Sequence, residues 1–221
     1  MSKIRAIFFD LDGTLAPLDE EKFVKLYMTL LGQKAIENGY DGKEFVKAIG
    51  KGTMAMFAND GRMTNEQLFW KIINETFPSI SDEMFIDFYK KDFKQTLITV
   101  GKNKIAKEIV DFCKENFEFV VLSTNPLFPL TATRQRMEKV GLKEEDFDFI
   151  TAYENSSFCK PNPNYFISLL KKFNLKGDEV FCSAEKESFH FFDTATQQRI
   201  EIQICNTTTP NGNKALNFKL L

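Results

Sequence analysis

This 221-residue chain is poor in the residues that build disulfide frameworks and zinc sites, since it has only four cysteines and one histidine. The cysteines are widely separated and form no Cys-x-x-Cys pair, which indicates reduced thiols in a cytoplasmic protein. A zinc site is not expected from so few ligands. The net charge is only −2, so the protein has no broad electrostatic attraction to nucleic acid or to acidic membranes. Any anionic substrate must therefore be bound by local groups.

Long apolar runs are also missing. No stretch approaches the length of a membrane span, and the first apolar run is too short for the core of a signal peptide. We therefore expect neither a membrane nor a nucleic acid as a partner. Phenylalanine, by contrast, is abundant, with 24 residues. Many of them recur at helical spacing, such as Phe85, Phe88 and Phe93, and we interpret these as core packing.

The order of the apolar segments predicts an α/β fold. Ile4 to Phe9 is an apolar run ended by an acid and a glycine, which is typical of a buried parallel strand. Further strand signals lie at about 117–122, 147–151, 179–182 and 200–205, and helical signals lie between them at about 102–115, 131–140, 163–173 and 186–197. This alternation predicts a doubly wound parallel sheet that is covered by helices on both faces.

Residues 17–96 interrupt this alternation. They read as amphipathic helices at about 20–31, 43–50, 65–76 and 82–94, with a turn at Asn59–Arg62 and no clear strand. We therefore predict a core domain formed by residues 1–16 and 97–221, with a helical cap domain inserted at 17–96. Ligands of such sheets bind at the carboxyl ends of the strands.

Two acids mark that edge. Asp10 falls where the first strand ends, and Asp12 points to the same side if the backbone stays extended; Gly13 then permits a sharp turn. Two carboxylates this close favour a bound cation, and Mg²⁺ would also let an anionic phosphate approach them. In this interpretation Asp10 attacks phosphorus, while Asp12 protonates the leaving oxygen and later activates water.

The string from Phe8 to Leu15, Phe-Phe-Asp-Leu-Asp-Gly-Thr-Leu, resembles motif I of the haloacid dehalogenase (HAD) superfamily. The order of the later segments resembles the members that carry a helical cap between motifs I and II, built on a Rossmann-like core. Haloalkanoate dehalogenases of that superfamily lack the second acid, whereas its phosphatases and phosphomutases have it. Asp12 therefore favours phosphate ester chemistry on a small phosphorylated substrate.

Two further segments resemble motifs II and III. Phe119 to Pro126 places Thr124 where a hydroxyl would hydrogen-bond a phosphate oxygen, with Asn125 as a neighbour in the same loop and Ser123 as the alternative if the register shifts by one. Lys160, before Pro161, would neutralise the phosphate and hold the nucleophilic carboxylate. Asn162 and Pro163 then resemble a helix start, because asparagine caps helices and proline opens them.

Motif IV departs from the family pattern. The resemblance implies a glycine followed by aspartates as metal ligands, but the chain has Phe-Cys-Ser-Ala-Glu-Lys-Glu from Phe181 to Glu187. Glu185 is the best match to the first acid, and Glu187 is the second choice for the same position. The predicted Mg²⁺ ligands are therefore Asp10, the backbone carbonyl of Asp12, and Glu185. His190, which lies in the next predicted helix, is interpreted as a packed residue.

Substrate selection is expected from the cap. Candidate contacts are Lys51, Thr53, Asn59 and Arg62, of which Arg62 is expected to pair with an anionic group. The segment Gly50–Thr53 has part of a phosphate-binding loop but lacks its first glycine, so we interpret it as a cap loop. The sequence thus predicts a Mg²⁺-dependent phosphatase. A phosphomutase and a weakly active relative that only binds a phosphorylated ligand or a partner remain alternatives.

Overall fold

A computed structural model describes residues 4–80, 82–183, 188–192, 199–208 and 214–220, with side chains described as far as Cys182. Its central sheet has four parallel strands in the order β3-β2-β1-β4. The strands are β1 (Ala6–Phe9), β2 (Phe119–Leu122), β3 (Phe149–Ile150) and β4 (Val180–Ser183). The doubly wound α/β prediction is confirmed.

Strand β1 lies between β2 and β4, and every one of its residues is buried. Ile7 and Phe9 pack into a core on one face of the sheet, whereas Ala6 and Phe8 pack into a core on the other face. Phe9 is in register with the last residue of each neighbouring strand. The carboxyl ends of three strands are therefore level, and the connections reverse direction next to β1, where α/β sheets bind ligands.

A helical insert, Glu20–Thr99, follows β1. It contains α1 (Glu20–Glu37), α2 (Gly42–Phe57), α3 (Asn65–Thr76), α4 (Asp82–Lys91) and a 3₁₀ helix (Phe93–Thr99). The start of α3 is fixed by a capping box, because Thr64 accepts from Gln67 and the Gln67 side chain accepts from the Thr64 backbone. That residues 17–96 form a separate cap domain stays a prediction.

The remaining helices flank the sheet: α5 (Ala106–Asn116), α6 (Leu130–Lys139) and α7 (Pro163–Phe173). Helix α7 begins as predicted, because the Asn162 side chain accepts from Asn164 N and Pro163 occupies the first turn. No helix of the described part of the chain is both long enough and apolar enough to cross a membrane.

The end of the chain differs from the prediction. A second, antiparallel sheet contains β5 (Ser188–Phe192), β6 (Arg199–Thr208) and β7 (Lys214–Leu220). The helix predicted at about 186–197 is wrong at β5, because short aromatic runs do not distinguish strand from helix by periodicity. His190 therefore lies in a strand, opposite Glu201. The strand predicted at about 200–205 exists within β6, but it does not join the parallel sheet.

The helices of the insert also differ from prediction in length. Helix α1 extends six residues beyond the predicted end at 31, and α2 continues through Gly50–Thr53. The interpretation of Gly50–Thr53 as a loop is therefore wrong. The helix tolerates Gly52 because its missing side chain lets Phe69 of α3 approach; a Cβ there would lie 2.7 Å from the Phe69 ring.

Candidate active site

Asp10 lies directly after β1, at the centre of the carboxyl edge of the parallel sheet. Its Oδ1 accepts a hydrogen bond from Lys160 Nζ at 2.9 Å, and Thr14 Oγ1 lies 3.4 Å from its Oδ2. The Asp10 side chain is only 16% exposed. The turn that follows needs Gly13, whose φ is +80°. The structure thus brings Asp10 and Lys160 together across 150 residues of sequence.

Asp12 faces a cation that the sequence analysis did not identify. Its Oδ1 lies 3.0 Å from Nε of Arg136, a residue of α6 that is completely buried. The contact is an ion pair, and its geometry is not that of a hydrogen bond. None of the three guanidinium nitrogens has a hydrogen-bond partner among the described residues. The guanidinium carbon instead lies 4.7 Å from the centroid of Phe128 and 5.7 Å from that of Phe23.

The protonation of Asp12 reflects two opposed influences. Burial raises the pKa of its carboxyl above the ordinary value, and the nearby Asp10 carboxylate adds to that rise. The positive charges of Arg136 and Lys160 lower it, but the net direction remains upward. Asp12 and Asp10 therefore have different surroundings: each is paired with its own cation.

Thr124 follows β2 and lines the same cavity as Asp10. Its backbone carbonyl accepts hydrogen bonds from Thr151 Oγ1 at 2.6 Å and from the Tyr165 hydroxyl at 2.9 Å. Burial raises the pKa of Tyr165 well above its usual range, so the phenol keeps its proton. The alternative residue, Ser123, is directed elsewhere, because its hydroxyl donates to the Phe9 carbonyl at 3.1 Å. This arrangement favours Thr124 over Ser123 as the phosphate contact.

Asn125 links the loop after β2 to Lys160. Its Oδ1 accepts from the Lys160 backbone N–H at 3.1 Å, and Asn125 also lines the cavity. The insert is joined to the same loops through Asn65, whose Nδ2 donates to the Pro126 carbonyl and lies 3.3 Å from Cys159 Sγ. Burial raises the pKa of Cys159 to about 12, so this thiol is not an ionised nucleophile at neutral pH.

A cavity of about 620 Å³ extends from Asp10 into the insert. The core contributes the polar residues Asp10, Asp12, Thr124, Asn125 and Lys160 to its lining, together with Leu127, Phe128 and Tyr153. The insert contributes mostly aromatic and aliphatic side chains, among them Phe23, Tyr27, Phe57, Phe69, Phe85 and Tyr89. Interpreting the phenylalanines as core packing was thus incomplete, because several of them also face this cavity.

The four residues predicted to contact substrate from the insert behave differently from one another. Thr53 lines the cavity, although its hydroxyl donates to the Ile49 carbonyl. Lys51 is exposed and is absent from the lining, and Asn59 is buried in the turn, where it donates to Asn65. Arg62 does not reach the cavity, because its exposed guanidinium pairs with Asp60 of the same turn at 2.6 Å. Its predicted role as a substrate contact gains no support.

The predicted metal ligands are only partly described. Asp10 and Asp12 lie together at the end of β1, while Glu185 and the alternative Glu187 lie outside the described residues. Among the side chains described up to residue 182, no group of three or more histidine, cysteine, aspartate or glutamate residues is arranged to hold a metal. The donors that are present are the carboxylate oxygens of Asp10 and Asp12, and oxygen ligands suit Mg²⁺.

Comparison with known proteins agrees with this architecture. The family model described as haloacid dehalogenase-like hydrolase matches residues 4–182. No curated protein matches the chain. Among solved structures, HAD family enzyme bt-2542 from Bacteroides thetaiotaomicron has a TM-score of 0.50 and 17% identity, covering 82% of this chain and 84% of its own.

Two further solved structures are similar at a lower level. The same Bacteroides enzyme in complex with magnesium and inorganic phosphate has a TM-score of 0.49 and 17% identity, over 81% of this chain and 83% of its own. A HAD phosphatase from Thermococcus onnurineus has a TM-score of 0.47 and 14% identity, over 81% of this chain and 76% of its own. At these identities the structural comparisons describe the fold alone.

Proposed function

Because the chain belongs to the haloacid dehalogenase-like hydrolase family, we propose that it is a Mg²⁺-dependent phosphatase that hydrolyses a small phosphate monoester through an aspartyl-phosphate. The observation that carries the proposal is the contact between Lys160 Nζ and Asp10 Oδ1 at 2.9 Å, at the carboxyl end of the central strand. A half-buried ammonium at this position holds the nucleophile and offsets the charge of the incoming phosphoryl group.

In the first step an oxygen of Asp10 attacks phosphorus, and the bond between phosphorus and the ester oxygen breaks. Asp12 gives its proton to that leaving oxygen, so the product departs as a neutral alcohol. In the second step Asp12 removes a proton from water, which attacks phosphorus and releases Asp10 and inorganic phosphate. Thr124 would donate to a phosphoryl oxygen in both steps.

Mg²⁺ would be held by the Asp10 carboxylate, by the backbone carbonyl of Asp12 and by an acid near residue 185. When bound, it supplies positive charge that lets the anionic phosphate approach the anionic nucleophile. The chain's own contribution is positioning: Lys160 restrains Asp10, while Arg136 restrains Asp12. Both carboxylates are therefore oriented before substrate arrives.

The test is the hydrolysis of p-nitrophenyl phosphate with and without Mg²⁺. We expect Mg²⁺-dependent turnover that falls at least about a thousandfold in Asp10→Asn, because the nucleophile is lost. Asp111→Asn is the matched control, since it makes the same substitution at a half-exposed surface position and should retain activity. Failure of folded wild-type protein to hydrolyse a broad panel of phosphate esters would contradict the proposal. Transfer of phosphate back to a substrate would identify a mutase instead.

A further inference from the structure

The part of the cavity that lies beyond the catalytic residues is apolar. Its lining from the insert combines aromatic rings with aliphatic side chains such as Val24, Met28 and Ile49. We call these aromatic and aliphatic side chains of the insert the aromatic wall. Among the described residues, the charged members of the lining are Asp10, Asp12, Glu20 and Lys160, and Glu20 is exposed. Lys160 is thus the only cation in the lining formed by the described residues, and it is already bonded to Asp10.

The polar atoms among the insert's aromatic residues are neutral. The hydroxyls of Tyr27 and Tyr89 are buried and hydrogen-bond each other at 2.8 Å. Burial raises the pKa of Tyr27 to about 12 and that of Tyr89 well above its usual range. Neither phenol therefore ionises at neutral pH. Their mutual bond uses one of the two hydroxyl hydrogens, so this pair offers at most one further donor to a polyhydroxylated ligand.

Three cations of the insert, Arg62, Lys51 and Lys34, lie outside this lining. Arg62 pairs with Asp60 at the surface, and Lys51 is exposed outside the lining. Lys34 lies with Asp87 and Asp92, at 2.5 and 3.1 Å. A second anionic group on the substrate would therefore find no free cation in the lining formed by the described residues, so its desolvation would be costly.

We infer that the substrate is a phosphate monoester whose organic part is apolar and uncharged, held by the aromatic wall while its phosphate lies at Asp10 and Lys160. This inference rests on the proposed phosphatase function and adds the substrate class to it. The cavity volume of about 620 Å³ is in the range of sites that enclose a drug-sized ligand, so it accommodates an organic part well beyond a few carbons. We expect sugar phosphates and phosphorylated carboxylic acids to be poorer substrates, because the described lining offers their polar groups few partners.

A homologous series of n-alkyl phosphates from ethyl to octyl tests the inference. Burial of each added methylene should raise kcat/KM by about two- to fourfold until the cavity is filled. Glucose 6-phosphate and phosphoglycolate serve as polar and anionic comparisons, and we expect each to react at least about a hundredfold more slowly than hexyl phosphate in kcat/KM, because the wall leaves their polar groups unpaired. A flat series, or a preference for either comparison substrate, would overturn the inference.

Val24 and Ile86 form a matched pair of variants. Both are aliphatic, lie on helices of the insert and are 51% exposed, but only Val24 lines the cavity. Val24→Asn should reduce the dependence on chain length, lowering kcat/KM for hexyl phosphate by about three- to tenfold while changing that for ethyl phosphate less than about twofold. Ile86→Asn should leave the whole series unchanged. Equal effects of the two variants would contradict the inferred wall.

Binding of non-hydrolysable phosphonates separates this inference from the proposed function. Calorimetry with n-ethylphosphonate and n-hexylphosphonate, in the presence of MgCl₂, should show at least about tenfold tighter binding of the longer probe. If hexylphosphonate binds selectively but no ester is hydrolysed, the phosphatase proposal fails and the apolar site stands. If esters are hydrolysed without chain-length selectivity, the substrate class fails and the phosphatase proposal stands. If neither probe binds and no ester reacts, both fail.

Discussion

The ion pair between Asp12 and Arg136 makes a quantitative prediction about stability. At 3.0 Å and an effective dielectric constant of about 20, Arg136 and the ionised form of Asp12 attract by about 5 to 6 kcal/mol. Desolvation of the two ions offsets part of this, but removal of one partner leaves a buried charge uncompensated and typically costs about 3–5 kcal/mol. Asp12 is 22% exposed and thus partly solvated, so we place the cost of Arg136→Met near the lower limit, at about 3 kcal/mol.

A double-mutant cycle isolates the pair. Asp12→Asn leaves the fully buried guanidinium without a counter-charge, and we expect it also to cost about 3 kcal/mol. The double variant has neither charge and should lose only about 2 kcal/mol, which gives a coupling energy of about 4 kcal/mol. The stacking of Arg136 on Phe128 is lost in both backgrounds, so it cancels from the coupling.

The assay is urea unfolding of the four proteins. The control is the cycle Lys107→Met with Asp111→Asn, an exposed pair four residues apart on the surface, for which we expect a coupling of at most about 0.5 kcal/mol. Additivity of Asp12→Asn and Arg136→Met within about 0.5 kcal/mol would refute the reasoning. It would mean that solvent screens the pair despite the burial of Arg136.

Three further outcomes follow from local geometry. Gly61→Ala should destabilise the protein by about 3 kcal/mol in urea unfolding, because φ is +91° and the new Cβ would collide with Phe158. Gly39→Ala should cost only about 1 kcal/mol, because φ is +83° there but the space around the new Cβ is open. Equal costs of the two variants would exclude the collision. Asn162→Ala should cost about 1 kcal/mol through loss of the α7 cap, and no change in the unfolding midpoint would contradict that capping role. Cys159 should resist alkylation by iodoacetamide at neutral pH in the native state, since burial raises its pKa to about 12, and rapid modification of the folded protein would contradict this.

The positions of Asp10 and Lys160 in the candidate site could be predicted because their signals are local. The apolar run before Asp10 identified a buried strand, and the proline after Lys160 marked the loop that carries the lysine. Asn162 and Pro163 predicted the start of α7 correctly, since caps depend on residues next to each other in sequence. The order of these segments then placed Asp10 and Lys160 at the same edge of the sheet.

The burial of Arg136 and the apolar cavity depend on tertiary packing, which no short stretch of the sequence reveals. Arg136 shares the inward face of α6 with Ala132, Thr133 and Met137, and this helical spacing was its only available signal. Arginine side chains are rarely fully buried, so the sequence alone favours a solvated Arg136. Its burial is evident only from the position of α6 next to Asp12. The apolar cavity similarly arises from side chains on several helices, whose shared orientation no periodicity reveals.

The departures at the end of the chain have a different cause. The run from Ser188 to Phe192 is short and mostly aromatic, and such a run fits a strand as well as a helix. The expectation of alternating strands and helices favoured the helix, but the chain forms an antiparallel sheet there. Local β-propensity of aromatic residues was the better guide at this position.

The most direct test of the account is the identification of a phosphoryl group on Asp10. Wild-type protein is mixed with p-nitrophenyl phosphate and Mg²⁺, quenched in acid during turnover, digested and analysed by mass spectrometry. We predict a phosphorylated peptide containing Asp10 in wild type and in Asp111→Asn, and none in Asp10→Asn. Turnover of the same ester with no phosphorylated Asp10 peptide in the wild type, or equal phosphorylation in Asp10→Asn, would contradict the assignment of Asp10 as the nucleophile.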